Sequence, residues 1–145
     1  MALMSSAHTS WKGDLAGGSG TTTLASGAAA PMEVTWKART EDHGGLTSPE
    51  ELIAGAHSAC YSMALSGALA RAGNPPTSIE TEATATFDKT DDGWRITAVH
   101  LVVRASIAGI TPEAFAEFAE SAKEGCPVSQ ALKGNVALTL DASLV

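Results

Sequence analysis

The chain has 145 residues, of which 44% are hydrophobic and 17% are charged, and its formal net charge is −7. This composition excludes a disordered chain, and the length suits one folded domain over residues 1–145 rather than two. Nine basic residues stand against sixteen acidic ones with no basic patch, which argues against nucleic acid as a partner.

Neither a membrane span nor a secretion signal is expected. Every long apolar stretch is interrupted before the roughly 20 residues that a transmembrane helix needs. The N-terminus, Met1–His8, lacks the basic and apolar regions of a signal peptide. We therefore predict a cytoplasmic protein, in which a transient catalytic disulfide is a better expectation than a permanent structural one.

The first third of the chain predicts three short strands separated by turns rich in glycine and alanine. The strands are expected at His8–Asp14, Gly20–Ser26 and Met32–Ala38. Because the turns between them are short, the strands are expected to pair as an antiparallel meander.

A long helix is predicted next, from position 49 to position 71. Ser48 is a good N-cap, Pro49 suits the first helical position, and Glu51 is placed to close a capping box onto Ser48. Gly73 and the prolines that follow it end the helix. Its side chains are mostly small, so other backbones can approach closely, and we expect the helix to be central and buried.

The second half of the chain predicts a long hairpin, two helices and a final strand. These elements are expected, in chain order, at Ile79–Asp88, Trp94–Ile107, Pro112–Gly125, Pro127–Lys133 and Val136–Ala142. The resulting order, βββ-α-ββ-α-α-β, is not a βαβ repeat. It predicts the α+β class with antiparallel sheet.

Cys60 and Cys126 are the only cysteines in the chain. Cys60 lies within the long helix, among small side chains, and Cys126 lies at the junction between the last two predicted helices. Two thiols in such settings suggest reversible redox chemistry. The alternative is that both are small buried hydrophobic residues, which is a common role for a free cysteine.

A thiol reacts as its thiolate, so the setting that lowers its pKa matters. The local sequence favours Cys126, which precedes Pro127 at the N-cap of a short helix and would feel the helix dipole. Cys60 lies about three turns into its helix and would need an arginine supplied by the fold. The candidates are Arg39, Arg71, Arg95 and Arg104. Arg39 is favoured because it follows the third strand and precedes the loop Thr40–Thr47.

Two motifs of the chain resemble those of a known family. The segment Ser48–Cys60, SPEELIAGAHSAC, resembles the signature of osmotically inducible protein C (OsmC) and its organic hydroperoxide resistance relatives, which are prokaryotic thiol peroxidases. The segment Gly125–Gln130, GCPVSQ, resembles the second cysteine motif of that family. Trp11–Gly13 and Pro76–Ile79 extend the similarity over nearly the whole chain.

The resemblance implies an OsmC-like fold, with antiparallel sheets around a long central helix, in an intertwined homodimer with two active sites at the subunit interface. It implies that Cys60 attacks an organic hydroperoxide and that Cys126 resolves the resulting sulfenic acid as a disulfide. Arg39 would lower the pKa of Cys60, and Glu50 would hold the guanidinium through a bidentate pair. This assignment replaces the dipole argument for Cys126.

The same resemblance implies that a dithiol recycles the disulfide, with a lipoyl-type reductant for some members, and that neither a metal nor an organic cofactor takes part. Two other hypotheses remain open. His57, Cys60 and Cys126 could form a metal site, and the protein could be a noncatalytic binding or stress-assembly protein with structural thiols.

Other side chains with functional potential are expected to be structural. His57 is expected to be a hydrogen-bonded residue of a packed helix. The large aromatic residues are expected in the core or an interface, although some could line an apolar peroxide pocket. They are Trp11, Trp36, Trp94, Phe115 and Phe118.

Overall fold

The structure, a computed structural model, describes residues 1–145 and contains six strands and four helices. In chain order they are β1 (Ala7–Lys12), β2 (Ser19–Leu24), β3 (Met32–Thr35), α1 (Trp36–Thr40), α2 (Pro49–Arg71), β4 (Ser78–Thr90), β5 (Gly93–Ser106), α3 (Pro112–Gly125), α4 (Pro127–Leu132) and β6 (Ala137–Leu144). Internal contacts divide the chain into two compact units, Met1–Leu52 and Ile53–Val145. A single domain over 1–145 stays a prediction.

The first unit is built on an antiparallel sheet in the order β1-β2-β3, which confirms the predicted meander. Gly20 of β2 lies opposite Trp11 of β1. A Cβ atom at Gly20 would come within 2.8 Å of the Trp11 ring and 3.1 Å of the Val34 side chain. Glycine therefore leaves room for the Trp11 indole at this position.

The third strand is shorter than the predicted Met32–Ala38. It ends at Thr35, and Trp36–Thr40 form the short helix α1. The hydroxyl of Thr35 accepts a hydrogen bond from the backbone N–H of Ala38 at 3.0 Å, so Thr35 is the N-cap of this helix. Arg39 consequently lies in a helical turn, not at the end of a strand.

The long helix α2 has the predicted bounds, Pro49–Arg71. Its N-cap is Ser48, whose hydroxyl accepts from the backbone N–H of Glu51 at 3.1 Å. The prediction that the Glu51 carboxylate also accepts from the backbone N–H of Ser48 is wrong. The carboxylate accepts instead from the Thr47 hydroxyl at 2.6 Å. A nearby hydroxyl competes with the backbone for the carboxylate in this turn.

Within the single chain, α2 is buried along one stripe, so its predicted burial is found for that face of the helix only. His57, Tyr61, Leu65 and Leu69 recur at intervals of four residues and are fully buried, whereas Met63 is 71% exposed. By length and composition alone α2 could cross a membrane, with a mean hydropathy of 1.2. Its buried stripe instead belongs to the core of the second unit.

The second unit contains a sheet in the order β4-β5-β6. β4 and β5 form the predicted antiparallel hairpin, and β4 shows the expected alternation of partly buried and exposed residues. β6 pairs with β5 in the parallel direction, which differs from the expected antiparallel arrangement. The crossover through α3 and α4 makes this possible, because parallel neighbours need a long connection. The α+β class is confirmed.

The core of the second unit lies among the α2 stripe, α3 and one face of β5. Its fully buried strand residues are Val99, Leu101, Val103 and Ala105. The buried hydroxyl of Tyr61 in α2 donates to the carbonyl of Ala119 in α3 at 3.0 Å. Hydrophobic packing and this one polar contact therefore fix α2 against α3.

Replacing Leu65 with alanine tests this core. Leu65 is fully buried in the cluster, so Leu65→Ala should lower the free energy of unfolding by about 2 to 5 kcal/mol through lost burial and a residual cavity. Urea unfolding followed by circular dichroism measures the change. The matched control is Leu3→Ala, at a residue that is 97% exposed, which should change stability by less than about 0.5 kcal/mol.

Candidate active site

The structure brings the two cysteines of the chain together. Cys60 is partly buried on α2, Cys126 is fully buried at the junction of α3 and α4, and both are free thiols. Cys126 belongs to the hydrophobic core cluster, Cys60 packs against that cluster, and the two thiols interact electrostatically. The backbone N–H of Cys126 donates to the Ala122 carbonyl at 2.9 Å, which closes α3 directly before the thiol. Two thiols from distant parts of the sequence thus lie within reach of each other.

The first turn of α4 lies against Cys60. Cys126 is the N-cap of α4, as the sequence predicts, but its side chain makes no capping hydrogen bond. The backbone N–H of Val128 donates to the Cys60 sulfur instead. The dipole argument, which considered Cys126 alone, did not include this interaction of the helix end with Cys60. The sequence did not identify Val128 as a residue of the site, because Val128 interacts with Cys60 through its backbone amide and any residue type could do so.

The surroundings of Cys60 favour its protonated form. Burial raises the pKa of the Cys60 thiol, and the hydrogen bond and charge of Cys126 raise it further, while the Val128 amide lowers it. All of these groups belong to the unit Ile53–Val145. A nucleophilic Cys60 at neutral pH consequently requires an additional positive charge.

Arg39 and Glu50 form the second predicted pair, within the unit Met1–Leu52. The Arg39 Nε donates to both carboxylate oxygens of Glu50, at 2.9 and 3.1 Å, and its Nη2 donates to Oε1 at 2.7 Å. Glu50 is only 6% exposed, and the guanidinium also lies 5.9 Å from the ring centroid of Trp36. A buried carboxylate needs such a partner, so the guanidinium is fixed in one orientation.

A cavity of about 350 Å³ lies beside Arg39 in the same unit. Arg39 is its only charged lining residue. Most of the remaining lining is apolar and includes Trp11, Leu15, Val34, Trp36, Pro49 and Leu52. The cavity therefore offers an apolar wall next to a fixed positive charge.

His57 is fully buried on α2, one turn before Cys60. Its Nε2 lies 2.8 Å from the Ser129 hydroxyl of α4, and its Nδ1 has no hydrogen-bond partner. Burial lowers the pKa of His57, which keeps the imidazole neutral. No cluster of three or more histidine, cysteine and acidic side chains has metal-binding geometry, so His57, Cys60 and Cys126 do not form a metal site here.

The contact between the thiols predicts how Cys60 titrates. Cys126 raises the pKa of Cys60, so Cys126→Ala should lower that pKa and increase the thiolate fraction at a given pH. Alkylation of Cys60 by iodoacetamide, measured by peptide mass spectrometry across pH, should then shift to lower pH. The Cys126→Ser variant, which keeps a hydrogen-bonding side chain, serves as the control. An unchanged or higher Cys60 pKa in Cys126→Ala would contradict the assigned contact.

Comparison with known proteins finds sequences that match most of the chain. Residues 41–141 match the family model of OsmC-like proteins. The chain is 44% identical to peroxiredoxin OsmC of Escherichia coli over 128 residues, which cover 88% of this chain and 89% of that protein. It is 32% identical to the organic hydroperoxide resistance protein-like 2 of Staphylococcus epidermidis over 100 residues, 68% of each chain.

Solved structures share the fold at low sequence identity. An organic hydroperoxide resistance protein OsmC from Legionella pneumophila superposes with a TM-score of 0.74 at 22% identity, covering 99% of both chains. An OsmC-like protein from Vibrio cholerae has a TM-score of 0.76 at 14% identity, covering 98% of this chain and 100% of that one. On the family match and the E. coli relative together, the chain belongs to the OsmC family.

Proposed function

We propose that this protein is a cysteine-based peroxidase that reduces organic hydroperoxides to alcohols, with Cys60 as the attacking thiol and Cys126 as the resolving thiol. The observation that carries the proposal is the close interaction of the two free thiols at one place in the core. Membership of a family whose relatives include a peroxiredoxin and organic hydroperoxide resistance proteins supports a thiol-dependent peroxidase.

The proposed cycle begins with attack of the Cys60 thiolate on the distal oxygen of the hydroperoxide. The O–O bond breaks, the alkoxide takes a proton and leaves as an alcohol, and Cys60 becomes a sulfenic acid. Cys126 then attacks the Cys60 sulfur, the S–O bond breaks, and the oxygen leaves as water. The product is a Cys60–Cys126 disulfide between two thiols that already interact in the reduced protein.

An external dithiol would supply the two electrons that return the disulfide to two thiols, through a mixed disulfide and exchange. A lipoyl-type reductant, which the family resemblance suggests, is proposed as one such dithiol. The proposed location is the cytoplasm, where reducing conditions keep both cysteines available as thiols.

We propose that Arg39 provides the missing positive charge at Cys60, and that it comes from a second copy of the chain in a homodimer. Glu50, which holds Arg39, precedes Cys60 by ten residues on the continuous helix α2. The family resemblance implies active sites at the subunit interface of a homodimer, where a symmetric partner can present the guanidinium.

The apolar cavity beside Arg39 supports an organic substrate. An alkyl or aryl group would be removed from water against its tryptophan and aliphatic lining, while the guanidinium donates to the peroxide oxygens. Hydrogen peroxide has no apolar group to place there. The proposal therefore includes a preference for organic hydroperoxides over hydrogen peroxide.

Peroxide consumption with a dithiol supplied tests the proposed roles. Wild type should consume cumene hydroperoxide faster than hydrogen peroxide. Cys60→Ser should abolish turnover, and Arg39→Ala should lower the rate about 100-fold or more by removing a donor and a charge. Cys126→Ser should reduce about one equivalent of peroxide and then stop or become over-oxidised.

Arg95→Ala is the matched arginine control for this experiment, because Arg95 is exposed and contacts Asp92 and Asn135. It should retain the wild-type rate. A noncatalytic binding protein would show no turnover in wild type and no loss of binding in Cys60→Ser. Wild-type rates in Arg39→Ala would overturn the proposed activation of Cys60.

Mixed dimers test whether Arg39 and Cys60 come from different subunits. Cys60→Ser and Arg39→Ala are each inactive, but a dimer with one of each carries one intact site if the arginine crosses the interface. Co-expression should restore about one quarter of the wild-type rate, since half of randomly paired dimers are mixed. The absence of any recovery, in dimers shown by affinity tags to be mixed, would place both residues in the same subunit or exclude the role of Arg39.

A further inference from the structure

The hydrogen bond between His57 and Ser129 is a buried contact that the proposed cycle does not use. It joins the middle of α2 to the first turn of α4, with Nε2 and Oγ 2.8 Å apart. Both residues are almost fully excluded from solvent, at 0% and 2% exposure. This contact is the only side-chain hydrogen bond between α2 and α4 apart from those at the Cys60 sulfur.

The chemistry of His57 is unfavourable for a purely structural residue. A neutral imidazole has one donor and one acceptor nitrogen, and the buried Nδ1 has no partner in either tautomer. An apolar side chain in this position would avoid an unsatisfied buried nitrogen. His57 therefore does not maximise the stability of the fold, which indicates that it has another role.

The position of Ser129, the hydrogen-bond partner of His57, indicates the role of this contact. Ser129 follows Cys126 by three residues and Val128 by one, so the three belong to the same turn at the start of α4. Cys126 and Val128 both contact the Cys60 sulfur. Exposed contacts hold α4 to the end of α3. The Gln130 side-chain amide donates to the Glu124 backbone carbonyl, and Lys133 donates to the Glu124 carboxylate at 3.1 Å. The His57 contact is the buried one that holds this turn against α2.

We propose that His57 and Ser129 are positioning residues, which hold the first turn of α4 against Cys60 so that Cys126 resolves the sulfenic acid before a second peroxide reaches it. This inference rests on the proposed peroxidase function and adds two residues to it. Neither residue touches the substrate or exchanges a proton with it. Both act through the placement of Cys126 and Val128.

Two reactions compete for the Cys60 sulfenic acid, and their ratio reports this placement. In resolution, Cys126 forms an S–S bond with Cys60, the S–O bond breaks and water leaves. In over-oxidation, the sulfenate attacks a second hydroperoxide, its O–O bond breaks, an alcohol leaves and Cys60 becomes a sulfinic acid. Resolution depends on the distance between the two sulfurs, whereas over-oxidation depends on the peroxide concentration. A looser α4 therefore shifts the ratio toward sulfinic acid.

The double variant His57→Leu with Ser129→Ala tests the proposal, because it removes both partners of the hydrogen bond and leaves neither unsatisfied. Each protein is treated with a fixed excess of cumene hydroperoxide, quenched with acid and analysed by peptide mass spectrometry. The ratio of Cys60 sulfinic acid to Cys60–Cys126 disulfide should rise about tenfold or more above wild type, as expected for a misplaced reacting group. The melting temperature should stay equal to that of wild type or rise.

Two further variants distinguish positioning from general loosening of the protein. Thr81→Val removes the hydroxyl contact of 2.8 Å between Ser62 on α2 and Thr81 on β4, and it should keep the wild-type ratio. His57→Gln places an amide nitrogen near the position of Nε2 and should restore most of the resolution. A wild-type ratio in the double variant, an equal rise in Thr81→Val, or no rescue by glutamine would each overturn the inference. A wild type that consumes no hydroperoxide would instead overturn the proposed function itself.

Discussion

The pairing of the Cys60 and Cys126 thiols is the contact on which the account of this protein depends. It requires the junction between α3 and α4 to pack against the middle of α2, and the buried stripe of α2 provides that packing. From α2, the Tyr61 hydroxyl contacts Ala119 of α3 and the His57 imidazole contacts Ser129 of α4, so both sides of the junction are fixed. The core of the second unit thus brings together two sulfurs that the sequence separates widely.

Contact with Cys126 does not activate Cys60, because it raises the pKa of the Cys60 thiol. Burial and the neighbouring thiol favour the protonated form of Cys60, and one backbone amide opposes them. In the proposed dimer, the guanidinium of Arg39, held by Glu50, supplies the charge that reverses this preference. Such a peroxidase would be reactive only when both chains are assembled.

Local signals predicted most of the fold, and long-range contacts account for what they missed. Pro49 and Arg71 were correct bounds of α2 because the cap and the stop signals lie within a few residues. The helix α1 was missed because its cap, Thr35, is also a strong strand residue. The family motifs pointed to the two cysteines and to Arg39 with Glu50. The sequence could not show that the amide of Val128 contacts Cys60, or that Ser129 is the partner of His57, since both depend on how α4 docks.

The most direct test of the central claim is the product formed when the reduced protein meets one equivalent of cumene hydroperoxide without any reductant. Peptide mapping under acid quench should find a Cys60–Cys126 disulfide within the chain as the main product, together with one equivalent of cumyl alcohol. Cys60 as a sulfinic acid beside an unmodified Cys126 thiol, or alcohol formation without any change at Cys60, would contradict the account.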